Sequence, residues 1–222
     1  QKAGITCMLG FQRRFDPTFS AAKARIEAGE IGSPELLIIT SRDPGAPPVS
    51  YLKSSGGIFR DMLIHDFDIC RWILDDEIVS VHATASCLSD PAIAREANDF
   101  DTTAVTLRSR KGRLCQINTA RRAAYGYDQR FEVLGDKGML QCQNHRPTEV
   151  VSWSGQAVSQ DLPEHFFLQR YREAYKAEMA HFLELLQKGG TPRTCIDDGV
   201  AAQRLADAAT ESALTGKPVT LG

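Results

Sequence analysis

Hydrophobic positions along this chain follow two periods, one helical and one of strands. "DPTFSAAKARIEAGEIG" (16–32) places apolar residues at helical spacing. Asp16 can cap that helix, Pro17 suits its first turn and Gly29 can end it. "PELLIITSRD" reads as a strand running into a proline-rich loop over 44–50. A helix spanning about 57–75 follows, and then the strand-like runs "IVSVHATASCL", "TTAVTLRS", "RLCQINTAR", "QRFEVLG", "MLQCQ" and "TEVVSWS". The links "RKGR" (110–113) and "GDKG" (135–138) are short and contain glycine, as hairpins require. Two helices close the chain. In "FLQRYREAYKAEMAHFLELLQKG", Phe167, Tyr171, Ala174, Tyr175, Met179, Phe182, Leu185 and Leu186 fall at helical spacing; "DDGVAAQRLADAATESALTGK" is capped near Asp197 and stopped by Gly216.

These elements predict an α+β domain: an open, mainly antiparallel sheet with helices packed on one face. Such a sheet leaves its other face to water or to a partner. "VHATASCL" and "LCQINTA" look apolar on both faces, so the sequence predicts a homo-oligomer, a dimer or tetramer, formed sheet to sheet. The alternative is that loops or the last helices cover that face. Residues 5–11 read as one more strand, close to a start at Gln1 that carries no Met. An apolar strand needs neighbours for its backbone groups, so the expectation is a chain that was once longer.

Apolar and charged contents of 42% and 24% are ordinary for a globular domain. A net charge of -2 gives no reason to expect nucleic acid. No apolar run approaches the ~18 residues that span a bilayer, and no leader pattern is present. The six cysteines are scattered and never spaced C-x-x-C, which argues against a zinc ribbon or a disulfide framework and fits a reducing, cytoplasmic setting. G-x-G-x-x-G, the P-loop, G-x-S-x-G and H-E-x-x-H are all absent.

The chemistry concentrates in "SSGGIFRDMLIHDFDICRWIL" (54–74), a segment apolar nearly all round that still carries Asp61, His65 and Asp68. At about 100° per residue these three fall on one stripe, within roughly 60° of each other. Three readings compete. His65 could be a satisfied core histidine, with the aspartates paired to arginines such as Arg60 and Arg71. The three could bind a divalent ion, although no fourth ligand is obvious. Or Asp61 and His65 form an i, i+4 dyad in which the carboxylate favours the imidazolium and tunes a general base near neutral pH. Gly56-Gly57 would then let backbone approach a ligand closely, or would simply start the helix.

The same segment resembles the signature of the glucose–fructose oxidoreductase / inositol dehydrogenase / rhizopine-catabolism (Gfo/Idh/MocA) family, G-G-x-x-x-D-x-x-x-H-x-x-D followed by an apolar helix end. The resemblance extends through "MLGFQRRFDP", "GEIGSPELLIITSRDP", "RRAAYGYDQRFEVLGDKG", "FLQRYREAYKAEMAHFL" and "DDGVAAQRLADAA", in order over nearly the whole chain. "FQRRFDP", "SRDP" and "YGYDQR" resemble the inositol 2-dehydrogenase branch. The family joins an N-terminal Rossmann domain that binds NAD or NADP to a C-terminal domain that shapes the substrate pocket. The resemblance therefore implies that residues 1–11 are the last strand of the first domain and 12–222 the second. The dinucleotide fingerprint and a lysine-bearing E-K-P segment would lie upstream, and the chain as given would be inactive alone.

Carried over position by position, the resemblance implies His65 as the catalytic base and Asp61 as its partner. Asp68 would orient His65 or bind a substrate hydroxyl. Gln12, Arg13, Asp43 and Tyr127 would line the pocket. Ser41 and Asp43 stand where some inositol dehydrogenases carry His and Asn. No metal and no cofactor-binding residue is implied within this chain. The substrate expected is a cyclic polyol or sugar, foremost an inositol. Another sugar or a dihydrodiol, or a non-catalytic sugar-binding module, are the alternatives. His82, His145, His165 and His181 match nothing catalytic.

Overall fold

A computed structural model describes residues 5–222. A 3-10 turn, Gln12–Phe15, leads into α1 (Pro17–Glu27), where the Asp16 carboxylate accepts from the Thr18 and Phe19 N–H groups at 3.1 Å. Then follow β1 (Pro34–Arg42), α2 (Val49–Ser55), α3 (Ile58–Asp61), α4 (Ile64–Leu74), β2 (Ile78–Ser86) and α5 (Pro91–Ala97). Next come β3 (Thr102–Ser109), β4 (Leu114–Ala120), β5 (Asp128–Gly135), β6 (Gly138–Cys142), β7 (Val151–Trp153) and β8 (Val158–Gln160). The chain closes with α6 (Phe167–Arg170), α7 (Arg172–Lys188), α8 (Ile196–Thr215) and β9 (Val219–Thr220).

Seven strands form one open sheet in the order β6-β5-β1-β4-β3-β2-β9; β7 and β8 make a separate hairpin. Only β1 and β4 run parallel. Alternation along each strand sends Leu37, Ile39, Val81, Val105, Leu107, Cys115, Ile117 and Val133 to one face, where α1, α4 and α8 cover them. The predicted class is what the structure shows.

The opposite face is not the apolar surface expected of "VHATASCL" and "LCQINTA". Their outward positions are mostly polar, His82, Thr84, Ser86, Gln116 and Asn118, with Leu114 the large apolar exception, while the apolar Ala83, Cys115 and Ile117 point inward. A strand's side chains alternate strictly, so most of the apolar character belongs to the inner face. Exposed apolar residues of the sheet lie at Leu114 of β4, Leu134 of β5 and Met139 of β6.

Three further expectations need correction. Residues 5–11 are not a strand; Leu9 is tied by its N–H to the Thr194 carbonyl at 3.1 Å, with no strand alongside among the described residues. Residues 1–4, the rest of that expected segment, lie outside the described residues. The helix expected over 57–75 is two helices. Around Met62 the turn widens, and the Leu63 N–H donates to Ile58, five residues back. The last-but-one helix kinks at Tyr171, whose ring is fully buried between the Arg170 guanidinium (4.7 Å) and Tyr127; Met179 and Leu186 of its expected apolar face are exposed. The short elements α2, α5, β8 and β9 carry too few periodic residues to be read in advance.

Candidate active site

Two consecutive arginines of the first turn are fastened to α4 by neighbouring aspartates. Arg13 hydrogen-bonds Asp66, both buried. Arg14 grips both oxygens of Asp68, at 2.9 and 2.5 Å, and also reaches Asp198 of α8 at 2.8 Å. A bidentate guanidinium–carboxylate contact fixes direction as well as distance. On α4, His65 lies between Asp66 and Asp68 around the helix and faces a cavity that Arg13 also lines.

The cavity holds about 790 Å³. Gln12 and Arg13 form one wall. Asp43, at the end of β1, and the strap Gly45–Pro48 with Tyr51 of α2 form the rim. Asp61, Met62 and His65 come from α3 and the start of α4, Arg121 from the residue after β4. Tyr127 and the aromatic residues Phe166, Phe167 and Tyr175 close the far side. This lining is largely apolar, with a few convergent polar groups, as small-molecule sites generally are.

Those polar groups divide sharply. Asp61 accepts from the Tyr51 hydroxyl at 2.6 Å on one oxygen and from Arg121 at 2.9 Å on the other. It makes no hydrogen bond to His65, so the expected dyad is not formed. His65 stacks edge-on to Phe11 (5.8 Å between centroids, 78°), and its Nδ1 is buried without a partner. Burial first, and the Arg13 cation second, push the ring down to about 3 from an ordinary 6.5. The predicted preference for imidazolium is reversed, because burial and the Arg13 cation both favour the neutral ring. With Nδ1 sealed in protein, Nε2 is the nitrogen able to exchange a proton with a molecule in the cavity. Asp43 makes no side-chain hydrogen bond among the described residues; burial lifts it to about 6, against the pull of Arg121 and Arg13.

Of the residues singled out by sequence, Gln12, Arg13, Asp43, Asp61, His65 and Tyr127 line this one cavity. Asp68 does not. Its carboxylate faces away, saturated by Arg14, so it neither touches His65 nor reaches a ligand. The widened turn at Met62 breaks the single stripe on which the three had been aligned. Arg60 and Arg71, considered as partners, bind Asp207 and Asp198 instead. Gly56 and Gly57 adopt φ of 90° and 86° and do not line the cavity. A Cβ on Gly57 would approach the Asp99 carboxylate to 3.1 Å, the group that accepts from the Ile58 N–H, so the pair serves the helix start. Sequence reading missed Tyr51, Asp66 and Arg121. Asp66 beside His65 was the available signal; Tyr51 and Arg121 reach the site only through tertiary folding. No cluster of three or more His, Cys, Asp or Glu able to hold a metal occurs among the described residues.

A family model described as the oxidoreductase family, C-terminal alpha/beta domain (GFO_IDH_MocA_C), matches residues 23–221. The chain belongs to the Gfo/Idh/MocA family. Among relatives of this Gfo/Idh/MocA domain, an inositol 2-dehydrogenase of Rhizobium meliloti is 46% identical over 96% of the chain and 64% of its own length. A crystal structure of a myo-inositol dehydrogenase from Corynebacterium glutamicum superposes with a TM-score of 0.93 at 48% identity, covering 97% of this chain and 64% of that one. A scyllo-inositol dehydrogenase from Lactobacillus casei, with bound NAD(H) and scyllo-inositol, gives 0.89 at 28% identity over 98% and 65%. The chain thus spans a little under two thirds of these relatives.

The cavity electrostatics have a measurable sign. A base held below its free value stabilises the fold fully above pH 6.5 and loses that contribution as pH falls toward 3. Followed by NMR, the His65 Cε1–H resonance is expected to stay at its neutral position from pH 8 to pH 5. A His65 midpoint near 6.5 would contradict the arrangement described.

Proposed function

We propose that this domain supplies the substrate site of an NAD(P)-dependent oxidoreductase that oxidises a secondary alcohol of a cyclic polyol, foremost an inositol, to the ketone. One observation carries the reading: a neutral imidazole and two carboxylates, Asp61 and Asp43, converge on one cavity large enough for a sugar-sized ring. The named relatives, inositol dehydrogenases by their descriptions, support it.

The described residues do not fit a dinucleotide's phosphates. The sheet has one parallel pair, and no glycine-rich loop joins a strand to a helix N-terminus as a pyrophosphate cradle requires. In this reading NAD or NADP is held outside the described residues and supplies the hydride acceptor. This chain's work is to bind, orient and deprotonate. Carboxylates accept hydroxyl hydrogens and donate none, so Asp61 and Asp43 suit adjacent hydroxyls of a polyol. His65 Nε2 takes the hydroxyl proton of the reacting carbon. A ring this weakly basic can do so because departure of the carbon-bound hydride turns the hydroxyl into that of a protonated ketone, a strong acid. The aromatic wall of Tyr127, Phe166 and Phe167 excludes water around the ring.

The reading includes assembly of like chains through the sheet's outer face. Its support is the apolar corner where Leu36 lies between Leu114 and Leu134, and Leu134 pairs with Met139. Sedimentation of the full-length protein is expected to show an oligomer that Leu134→Lys dissociates; a monomeric wild type would remove this part.

Steady-state reduction of NAD by the full-length protein with myo-inositol tests the activity. His65→Ala is expected to lower kcat by about 10²- to 10⁴-fold, the usual contribution of a general base. Undiminished turnover in the variant would take His65 out of the mechanism, and turnover only with other polyols in a panel would redirect the substrate.

A further inference from the structure

The Tyr51 hydroxyl donates to Asp61 Oδ1 at 2.6 Å, across the mouth of the cavity. This contact belongs to neither the family-like motif nor the α4 clamp. Tyr51 lies in the first turn of α2, directly after Pro47-Pro48, and the helix ends at Gly56-Gly57 with both glycines in the left-handed region. A stiff diproline sets the direction of this short helix at one end, and the two-glycine joint makes the turn into α3 at the other. The helix packs on α5 with Leu52 buried, Lys53 meets Glu96 of α5 in an exposed ion pair at 3.4 Å, and Tyr51 itself is half exposed.

Asp61 needs holding. It stands at the end of α3, at the point where the helix gives way to the widened turn, so backbone alone does not fix its side chain. Arg121, buried to 1% exposure, takes one oxygen. The same guanidinium also faces Asp99 at 3.9 Å, and its Nε has no partner. Left to Arg121 alone, Asp61 could turn about that single contact. Tyr51 occupies the second oxygen and completes a two-point hold, leaving each oxygen a further lone pair on a side chain that lines the cavity.

We propose that Tyr51 is a positioning residue: its hydroxyl aims the Asp61 carboxylate into the cavity, and the same bond latches the 44–57 strap over the cavity mouth. The effect on substrate rests on the polyol reading above. The latch itself does not, and it can be seen without turnover. The phenol is shifted upward, chiefly by its hydrogen bond to Asp61, with burial and the Asp61 charge adding and Arg121 opposing. The other charged groups facing Asp61 are Arg121 and, beyond it, Asp99 and Asp43; His65 faces the same cavity in its neutral form.

Two measurements on the full-length protein decide the matter. In the first, tyrosines carry ¹³C at Cζ, and Tyr51 is assigned by the resonance lost in Tyr51→Phe. The resonance is expected to move when Asp61 is changed to Asn and to stay put when Glu96 is changed to Gln. A Tyr51 resonance indifferent to Asp61→Asn overturns the latch, whatever the substrate proves to be. In the second, Tyr51→Phe, which keeps the ring and removes only the hydroxyl, is expected to raise KM for myo-inositol about tenfold and to change kcat less than about twofold, as loss of one hydrogen bond to a charged group predicts. An unchanged KM overturns the positioning role. If wild type oxidises no polyol, the functional reading fails, and the resonance still decides whether Tyr51 and Asp61 are coupled.

Discussion

Two adjacent guanidinium–carboxylate pairs hold the site together. Arg13 with Asp66, and Arg14 with Asp68, tie the 3-10 turn Gln12–Phe15 to α4 at two positions on different sides of the helix. Removing one member of a buried pair leaves a charge without solvent or partner, which costs roughly 3–5 kcal/mol. The arrangement therefore has little freedom to relax. Arg14 extends the grip to Asp198 and so to α8, and Arg71 meets the same carboxylate at 3.5 Å. α4 is thus fixed in position and in rotation. Its rotation decides which side chain faces the cavity, and with Asp66 and Asp68 committed to the arginines that side chain is His65.

The clamp also sets the electrostatics. Arg13 is at once a structural cation and a cavity wall, so its charge reaches His65 and Asp43 together. It helps hold the imidazole neutral and restrains the rise of the Asp43 carboxyl. Asp61 is governed by a different set of contacts, Tyr51 and Arg121. The cavity consequently pairs a neutral proton acceptor with carboxylates oriented by separate parts of the fold, rather than a hydrogen-bonded Asp–His couple. That division suits a ligand whose many hydroxyls must be bound while only one gives up its proton.

Much of this was legible in the sequence. The class of fold followed from short hairpin links and period-two runs, because those patterns bury one face whatever the tertiary detail. The capping of α1 by Asp16 and the ending of α8 at Gly216 followed from local chemistry alone. Six of the seven candidate residues converge on one cavity because a motif keeps side chains together even when the backbone geometry assumed for them is wrong. The failures are tertiary. An ideal helix drawn through 57–75 aligned Asp61 with His65 and Asp68; the widened turn at Met62 moved Asp61 off that line, and Asp68, one turn from His65 on α4, is taken up by Arg14. Which arginine meets which aspartate depends on contacts more than fifty residues apart in sequence, as for Arg14 with Asp68 and Arg121 with Asp61. The sheet's outer face, polar over β2 and most of β4, was read as apolar throughout because apolar content was judged by run and not by alternating position.

The central claim is that the double arginine clamp presents His65, uncharged, to a polyol. A crystal structure of the full-length protein with an inositol bound tests it most directly. The account predicts a ring hydroxyl within about 3 Å of His65 Nε2, with Arg13 still on Asp66 and Arg14 still on both oxygens of Asp68. An inositol bound away from His65, or one reached only after those pairs have parted, would contradict it.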